Sequence, residues 1–184
     1  ILDAFAPYFE KAQIAYEAFV DGVAYGGRAY VEHPEAFGVP ERNVAYVQST
    51  RKPVDDILAF LSEHEEELDS LDIVAVNPVL YQEIEDQIPR ITKAVYVTSA
   101  VSYRLEISHK DSGKAAGLAY VLDLLGIAPE ETIAFGDGDN DAEMLAFAGL
   151  GVAMENATEK CKAAADAVCD RCENDGVARF LYGF

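Results

Sequence analysis

The segment Gly136-Asp137-Gly138-Asp139-Asn140-Asp141 places three carboxylates within five positions. Such crowding costs repulsion unless a cation or solvent relieves it. Hard oxygen donors of this kind suit Mg²⁺, which commonly takes one or two protein carboxylates together with water and substrate phosphate. Glycines at 136 and 138 let the backbone turn sharply and approach a ligand closely. The plain alternative is an acidic strand-to-helix turn in which Asp139 or Asn140 caps the next helix. Spacing alone leaves both open. Calcium-loop chemistry is disfavoured: the EF-hand loop needs Gly at its sixth position and Glu at its twelfth, and Ala142 and Ala148 stand there. Cys169-Asp170-Arg171-Cys172 is a single C-x-x-C pair, without the second Cys or His set that a zinc site needs. His33, His64 and His109 share no metal spacing and read as surface or strand-end residues.

The elements around the acidic segment alternate. Ser112 is positioned to cap a helix carrying Ala115, Leu118, Ala119, Leu122 and Leu125, stopped by Gly126. Thr132 to Phe135 reads as a short apolar strand delivering Gly136-Asp137. A helix from about Asp141 to Ala148, a strand over Gly151 to Met154, a helix from about Ala157 to Ala165, a strand at Ala167-Val168 and a helix near Gly176 to Leu181 follow. Helices alternating with short apolar strands predict a parallel sheet, and open α/β sheets bind ligands at the carboxyl ends of their strands.

Residues 1–110 have a different pattern. Gln13 to Val20 runs into Asp21-Gly22, a tight-hairpin signal. Val23 to Glu32 is expected as the return strand, with Gly26-Gly27 as a bulge or kink. Pro53 is expected to open a helix carrying Val54, Ile57, Leu58 and Leu61, and Glu63 to Asp69 to be its solvated end. Ile73 to Val76 reads as a buried strand, Pro78 to Ile88 as a helix, and Ala94 to Thr98 and Tyr103 to Ser108 as strands. The tyrosines and phenylalanines follow strand positions and read most simply as core. The chain thus divides into an α+β block, 1–110, and an α/β block, 111–184.

The whole chain of 184 residues carries a net charge of −19, spread as −10 over 1–110 and −9 over 111–184. Phosphate-backbone binding needs clustered Lys and Arg, and Arg51-Lys52 stands alone. Nucleic acid and anionic membranes are therefore poor partners. No apolar run approaches the roughly 20 residues that span a bilayer. Three cysteines are too few for a disulfide framework. A soluble, cytoplasmic protein is expected.

Gly136 to Leu145, followed by Ala148 to Met154, resembles the fourth motif of haloacid dehalogenase (HAD) superfamily hydrolases, most closely the Cof-like sugar-phosphatase branch. Leu105-Glu106-Ile107 with Lys114 resembles that branch's third motif, and Asn174-Asp175-Gly176-Val177-Ala178 its C-terminal signature. The αββ pattern of 1–104 fits the large α/β cap of the same branch. The resemblance implies an α/β fold: a large α+β cap of αββ units over 1–110, and the C-terminal half of a Rossmann-like core over 111–184. It implies a phosphatase of small phosphorylated metabolites that uses Mg²⁺ and an aspartyl-phosphate intermediate. Asp137 would be a metal ligand, and Asp141 a second acidic position acting directly or through water. Asn140 would bond the phosphoryl group or the substrate. Lys114 would stabilise negative charge on the phosphoryl oxygens.

One departure matters. The family's first motif, D-x-D-G-T with the nucleophilic Asp, precedes the cap, and so does a second motif ending in Thr or Ser. Neither is present; the only D-x-D arrangements lie within 137–141. The resemblance therefore implies a C-terminal fragment that is inactive alone. With a central strand missing, the strand ending at Asp137 would keep an open edge, and either the fragment self-associates through it or upstream chain covers it. Other classes differ on specific points. A receiver domain places its lysine after its acidic residues, whereas Lys114 precedes Asp137. A cation pump needs membrane spans. A phosphoserine-phosphatase-like enzyme would carry a small helical cap. A non-catalytic metal- or ligand-binding module remains the alternative.

Overall fold

The computed structural model describes residues 1–183; Phe184 and the side chain of Ala100 lie outside the description. The chain forms two compact units, Ile1–Lys110 and Asp111–Phe184.

In the first unit, helix α1 (Leu2–Glu10) leads into β1 (Ala15–Val20), which pairs antiparallel with β2 (Val23–Gly27). Asp21 and Gly22 make the connection with φ of 50° and 71°. Two consecutive positive values match the twist of the flanking strands. The return strand stops at Gly27, short of the expected Glu32, because Arg28–Glu32 coils into helix α2. That helix turns Tyr30 and Val31 inward over the strand it leaves. A Cβ on Gly26 would lie 2.9 Å from Val31 Cγ2.

Helix α3 (Glu41–Thr50), not anticipated from the sequence, precedes β3 (Arg51–Val54). Pro53 therefore sits in a strand and does not open a helix. The sheet order β3-β2-β1-β4-β6-β5 puts β3 at an edge, where a residue without an N–H is tolerated. Helix α4 (Ile57–Glu63) begins later, after Asp56, whose carboxylate accepts from the Leu58 and Ala59 amides at 3.0 Å. Strand β4 (Leu68–Val74) starts inside the segment expected as a solvated helix end. Helix α5 (Pro78–Ile91) is capped by Asn77, and β5 (Val95–Val101) and β6 (Arg104–His109) complete the sheet. One core joins Phe5, Tyr16, Ile57, Leu61, Ile73, Ile84, Ile88 and Leu105; another joins Ala15, Tyr30, Val31, Val39, Val47 and Val74.

Because β1 alternates between these two cores, Glu17 is wholly buried. It lies directly opposite Asp72, which lies directly opposite Glu106. Two guanidiniums compensate this row of carboxylates. Arg51 donates to Glu17 through Nε at 3.0 Å and Nη2 at 2.8 Å, and the Tyr30 hydroxyl donates to the same carboxylate at 2.6 Å. Arg104 Nη2 donates to Glu106 at 3.1 Å, while its Nε lies 3.3 Å from Asp72 Oδ2 without hydrogen-bond alignment. Burial pushes the Asp72 carboxyl up to about 8 against the pull of Arg104, and Glu17 and Glu106 add to the rise.

In the second unit, helix α6 (Lys114–Leu125) is preceded by Gly113, not Ser112, at its N-terminus and stopped by Gly126 at φ 67°. Strands β7 (Ile133–Gly136), β8 (Leu150–Met154) and β9 (Ala167–Cys169) form a parallel sheet in the order β7-β8-β9. Helices α7 (Ala142–Phe147), α8 (Glu159–Ala164) and α9 (Gly176–Leu181) complete the unit. Its core joins Ala134, Leu145, Val152, Ala153, Met154, Cys161 and Cys169. Of the apolar residues on α6 only Leu122 is buried, while Tyr120, Leu124 and Leu125 are 70 %, 72 % and 62 % exposed. Tyr120, Tyr46 and Tyr182 thus depart from the core reading of the aromatics.

Candidate active site

Strand β7 ends at Gly136, paired with Ala153 of β8, and hands the chain to Asp137 at the carboxyl end of the parallel sheet. A 3-10 turn over Asp139–Asp141 then folds the acidic segment back on itself. The fold-back brings Asp141 onto Gly136, where a Cβ would lie 2.4 Å from the Asp141 Cβ. No residue but glycine leaves room for that approach.

Asp141 organises the loop. It is 4 % exposed. Its Oδ2 accepts from the Asp137 amide at 2.9 Å and the Gly138 amide at 3.0 Å, and its Oδ1 accepts from Lys114 Nζ. Burial works against the ionised form, but the Lys114 contact and the two amides outweigh it and lower the Asp141 pKa. Lys114 is the first residue of α6, so Asp141 is the point where the lysine and the Asp137 backbone meet. A lysine ammonium has three donors, which leaves others for a ligand.

The remaining side chains divide between held and free. Asp139 Oδ1 accepts from the Thr158 hydroxyl at 2.6 Å. The Asp137 carboxylate is exposed, and among the described residues neither it nor the Asn140 amide has a hydrogen-bond partner. Neither Asp139 nor Asn140 caps α7 through its side chain; the turn is held instead by the Asp141 carboxylate on the Asp137 and Gly138 amides. Among the described residues no three His, Cys, Asp or Glu side chains gather closely enough to enclose a metal ion. The donors present still fit Mg²⁺ in its usual partial form: one free carboxylate, a second acidic group behind it, and space for water and phosphate oxygens.

Sequence reading placed Lys114, Asp137, Asn140 and Asp141 at one site, and the structure brings all four to one loop and the helix terminus beside it. It did not foresee that Lys114 and Asp141 pair with each other, nor the part of Thr158. The signal for Thr158 was its type and place, a Thr opening the helix after β8, where its hydroxyl accepts from the Cys161 amide at 3.2 Å. Leu105 and Ile107 are buried in the first unit, so of that motif only Lys114 reaches the loop. Asn174 Nδ2 donates to Asp170 at 2.9 Å, and Gly176 packs where a Cβ would lie 1.8 Å from the Asp170 carbonyl oxygen. That C-terminal signature shapes a turn. The three cysteines are free thiols, Cys161 and Cys169 buried and Cys172 exposed. No helix among the described residues is long and apolar enough to cross a membrane.

The chain is similar in sequence and in fold to known proteins. A protein named phosphoglycolate phosphatase from Methanopyrus kandleri is 35 % identical over 159 residues, 85 % of this chain and 68 % of that protein. The 5-amino-6-(5-phospho-D-ribitylamino)uracil phosphatase YitU of Bacillus subtilis is 49 % identical over 77 residues, 42 % of this chain and 28 % of that protein. The chain thus spans about two thirds of the first relative and less than a third of the second. A solved structure of a haloacid dehalogenase-like hydrolase from B. subtilis shares the fold with a TM-score of 0.78 at 24 % identity, over 98 % of this chain and 69 % of that one. Residues 4–181 match the family described as haloacid dehalogenase-like hydrolase, and the chain belongs to that family of hydrolases.

Proposed function

We propose that these residues supply the lysine and metal-facing part of a Mg²⁺-dependent phosphatase site for small phosphorylated metabolites of the sugar-phosphate type. The observation that carries this reading is the arrangement around Asp141. One buried carboxylate holds Lys114 on one oxygen and the Asp137 backbone on the other, and leaves the Asp137 carboxylate free. Asp137 is then the cation ligand. Asp141, which already holds Lys114 and the Asp137 and Gly138 amides, would be the second acidic group of the cation site, acting directly or through water. Asn140 offers an amide to the phosphoryl group or the substrate, and the remaining donors of Lys114 face developing negative charge. When bound, Mg²⁺ supplies charge neutralisation and polarisation of the phosphoryl oxygens.

In this reading residues 1–110 form the cap and 111–184 the C-terminal half of the core. The nucleophilic carboxylate that would form the aspartyl-phosphate has no counterpart in these 184 residues, so the chain alone is inert. The charge of −19 disfavours nucleic acid and membrane partners, and three free thiols fit a cytoplasmic setting. The absence of a D-x-D motif ahead of Lys114 in these residues favours one other reading, a metal- or ligand-binding module without catalysis.

A panel of small phosphate esters decides between them. The longest product of the gene, assayed with and without MgCl₂, should release phosphate only with the metal, and Lys114→Ala should lower kcat by at least about 100-fold, the scale of one lost charge-stabilising donor. Mg²⁺ binding without turnover in that longest product would establish the non-catalytic reading.

A further inference from the structure

The peptide unit between Asp137 and Gly138 is gripped from both sides. Its N–H, on Gly138, donates to Asp141 Oδ2 at 3.0 Å. Its C=O, on Asp137, accepts from the Thr158 N–H at 3.0 Å. Thr158 then makes a second connection to the same loop, because its hydroxyl donates to Asp139 Oδ1 at 2.6 Å while accepting from the Cys161 amide at 3.2 Å. A hydroxyl that accepts and donates at once polarises both bonds, and a bond to a carboxylate is among the stronger kinds. Thr158 thus ties the acidic loop to the β8–α8 turn at two points, one backbone and one side chain. With Asp139 drawn onto Thr158 and Asp141 onto Lys114, Asp137 is the carboxylate left free.

We infer that Thr158 is the positioning residue of the acidic loop, orienting the Asp137 peptide and holding Asp139 aside so that Asp137 presents its carboxylate. This rests on the proposed phosphatase reading for its link to Mg²⁺, but its structural part stands independently.

The test uses amide exchange and MgCl₂ titration of the chain, both read by NMR at Asp137, Gly138 and Asp141. Thr158→Val keeps the shape and removes the hydroxyl. It should speed exchange at these three amides by about tenfold, the scale of one charge-assisted hydrogen bond, and weaken their response to MgCl₂ three- to tenfold. Thr158→Ser should restore both. Asp139→Ala leaves the α8 cap intact and should produce the same acceleration, with no further change when combined with Thr158→Val. Exchange in Thr158→Val confined to the α8 amides, with the three loop amides unchanged, would overturn the inference. So would full additivity of the two substitutions. A MgCl₂ response at the loop that survives Asp137→Ala would sink the metal-ligand role on which the phosphatase reading rests, while the exchange data would still decide the role of Thr158.

Discussion

Asp72 is 2 % exposed, between Glu17 and Glu106, with a carboxyl pushed by burial from an ordinary 3.8 up to about 8. Asp72→Asn replaces it with an uncharged group of nearly the same shape. In the unfolded chain Asp72 loses its proton near the ordinary value, whereas in the folded chain it keeps the proton up to the raised one. Between those limits the native state binds more protons than the unfolded state, so stability falls as pH rises and levels off once the folded group has titrated. At pH 7 the two states differ by about three pH units of titration, roughly 4 kcal/mol at the conversion of 1.4 kcal/mol per unit. Local relaxation and water penetration reduce this, so the expected gain is about 1–4 kcal/mol at pH 7. Near pH 4 the asparagine matches the protonated acid and the gain should vanish. The assay is urea unfolding of both proteins across pH 4 to 8 by far-ultraviolet circular dichroism. An asparagine variant less stable than wild type at pH 7 by 1 kcal/mol or more would refute the reasoning. It would mean that Asp72 is ionised and paired with Arg104, whose lost partner then costs more than the relieved burial.

Further expectations follow from single contacts. Gly136→Ala places a Cβ 2.4 Å from the Asp141 Cβ and should destabilise the second unit by about 1–3 kcal/mol through overpacking, measured by the same unfolding assay; a neutral result would show that the loop yields freely. Of the three thiols only Cys172 is exposed, so a thiol reagent should label one cysteine rapidly in the native chain and three in urea; rapid native labelling of all three would contradict the packing of Cys161 and Cys169. Strand β7 pairs only with β8 among the described residues, and Ile133 and the α6 residues Tyr120 and Leu124 are exposed. The 184-residue chain should therefore associate through this edge and apolar face, giving more than the monomer mass by light scattering; a clean monomer with slow amide exchange at Ile133 and Ala134 would show the edge covered.

The features legible in the sequence were those set by local chemistry. Asp21-Gly22 adopts the positive φ values its residue types favour, Gly126 ends α6 in the left-handed region, and the carboxylate crowding of 137–141 marked the loop. Where the outcome depended on distant packing, local signals misled. Arg28–Glu32 has strand-forming residues, yet it coils because Tyr30 and Val31 find their core beside Gly26. Pro53 reads as a helix start until β3 is placed at the sheet edge. The exposure of α6 could not come from its own sequence, because which face is covered depends on its neighbours. The pairing of Lys114 with Asp141 spans 27 positions, and the burial of Glu17, Arg51 and Asp72 joins three strands. Charged residues inside apolar runs, Glu17 in Gln13 to Val20 and Asp72 beside Ile73, were the available sign of that network.

Turnover of one aryl phosphate at saturating MgCl₂, compared between wild type and Asp137→Ala, tests the central claim most directly. The account predicts that the 184-residue chain shows no turnover, and that the longest gene product hydrolyses the ester with a rate that Asp137→Ala reduces to background. Metal-dependent turnover by residues 1–184 alone, or turnover by the longest gene product retained after Asp137→Ala, would contradict it.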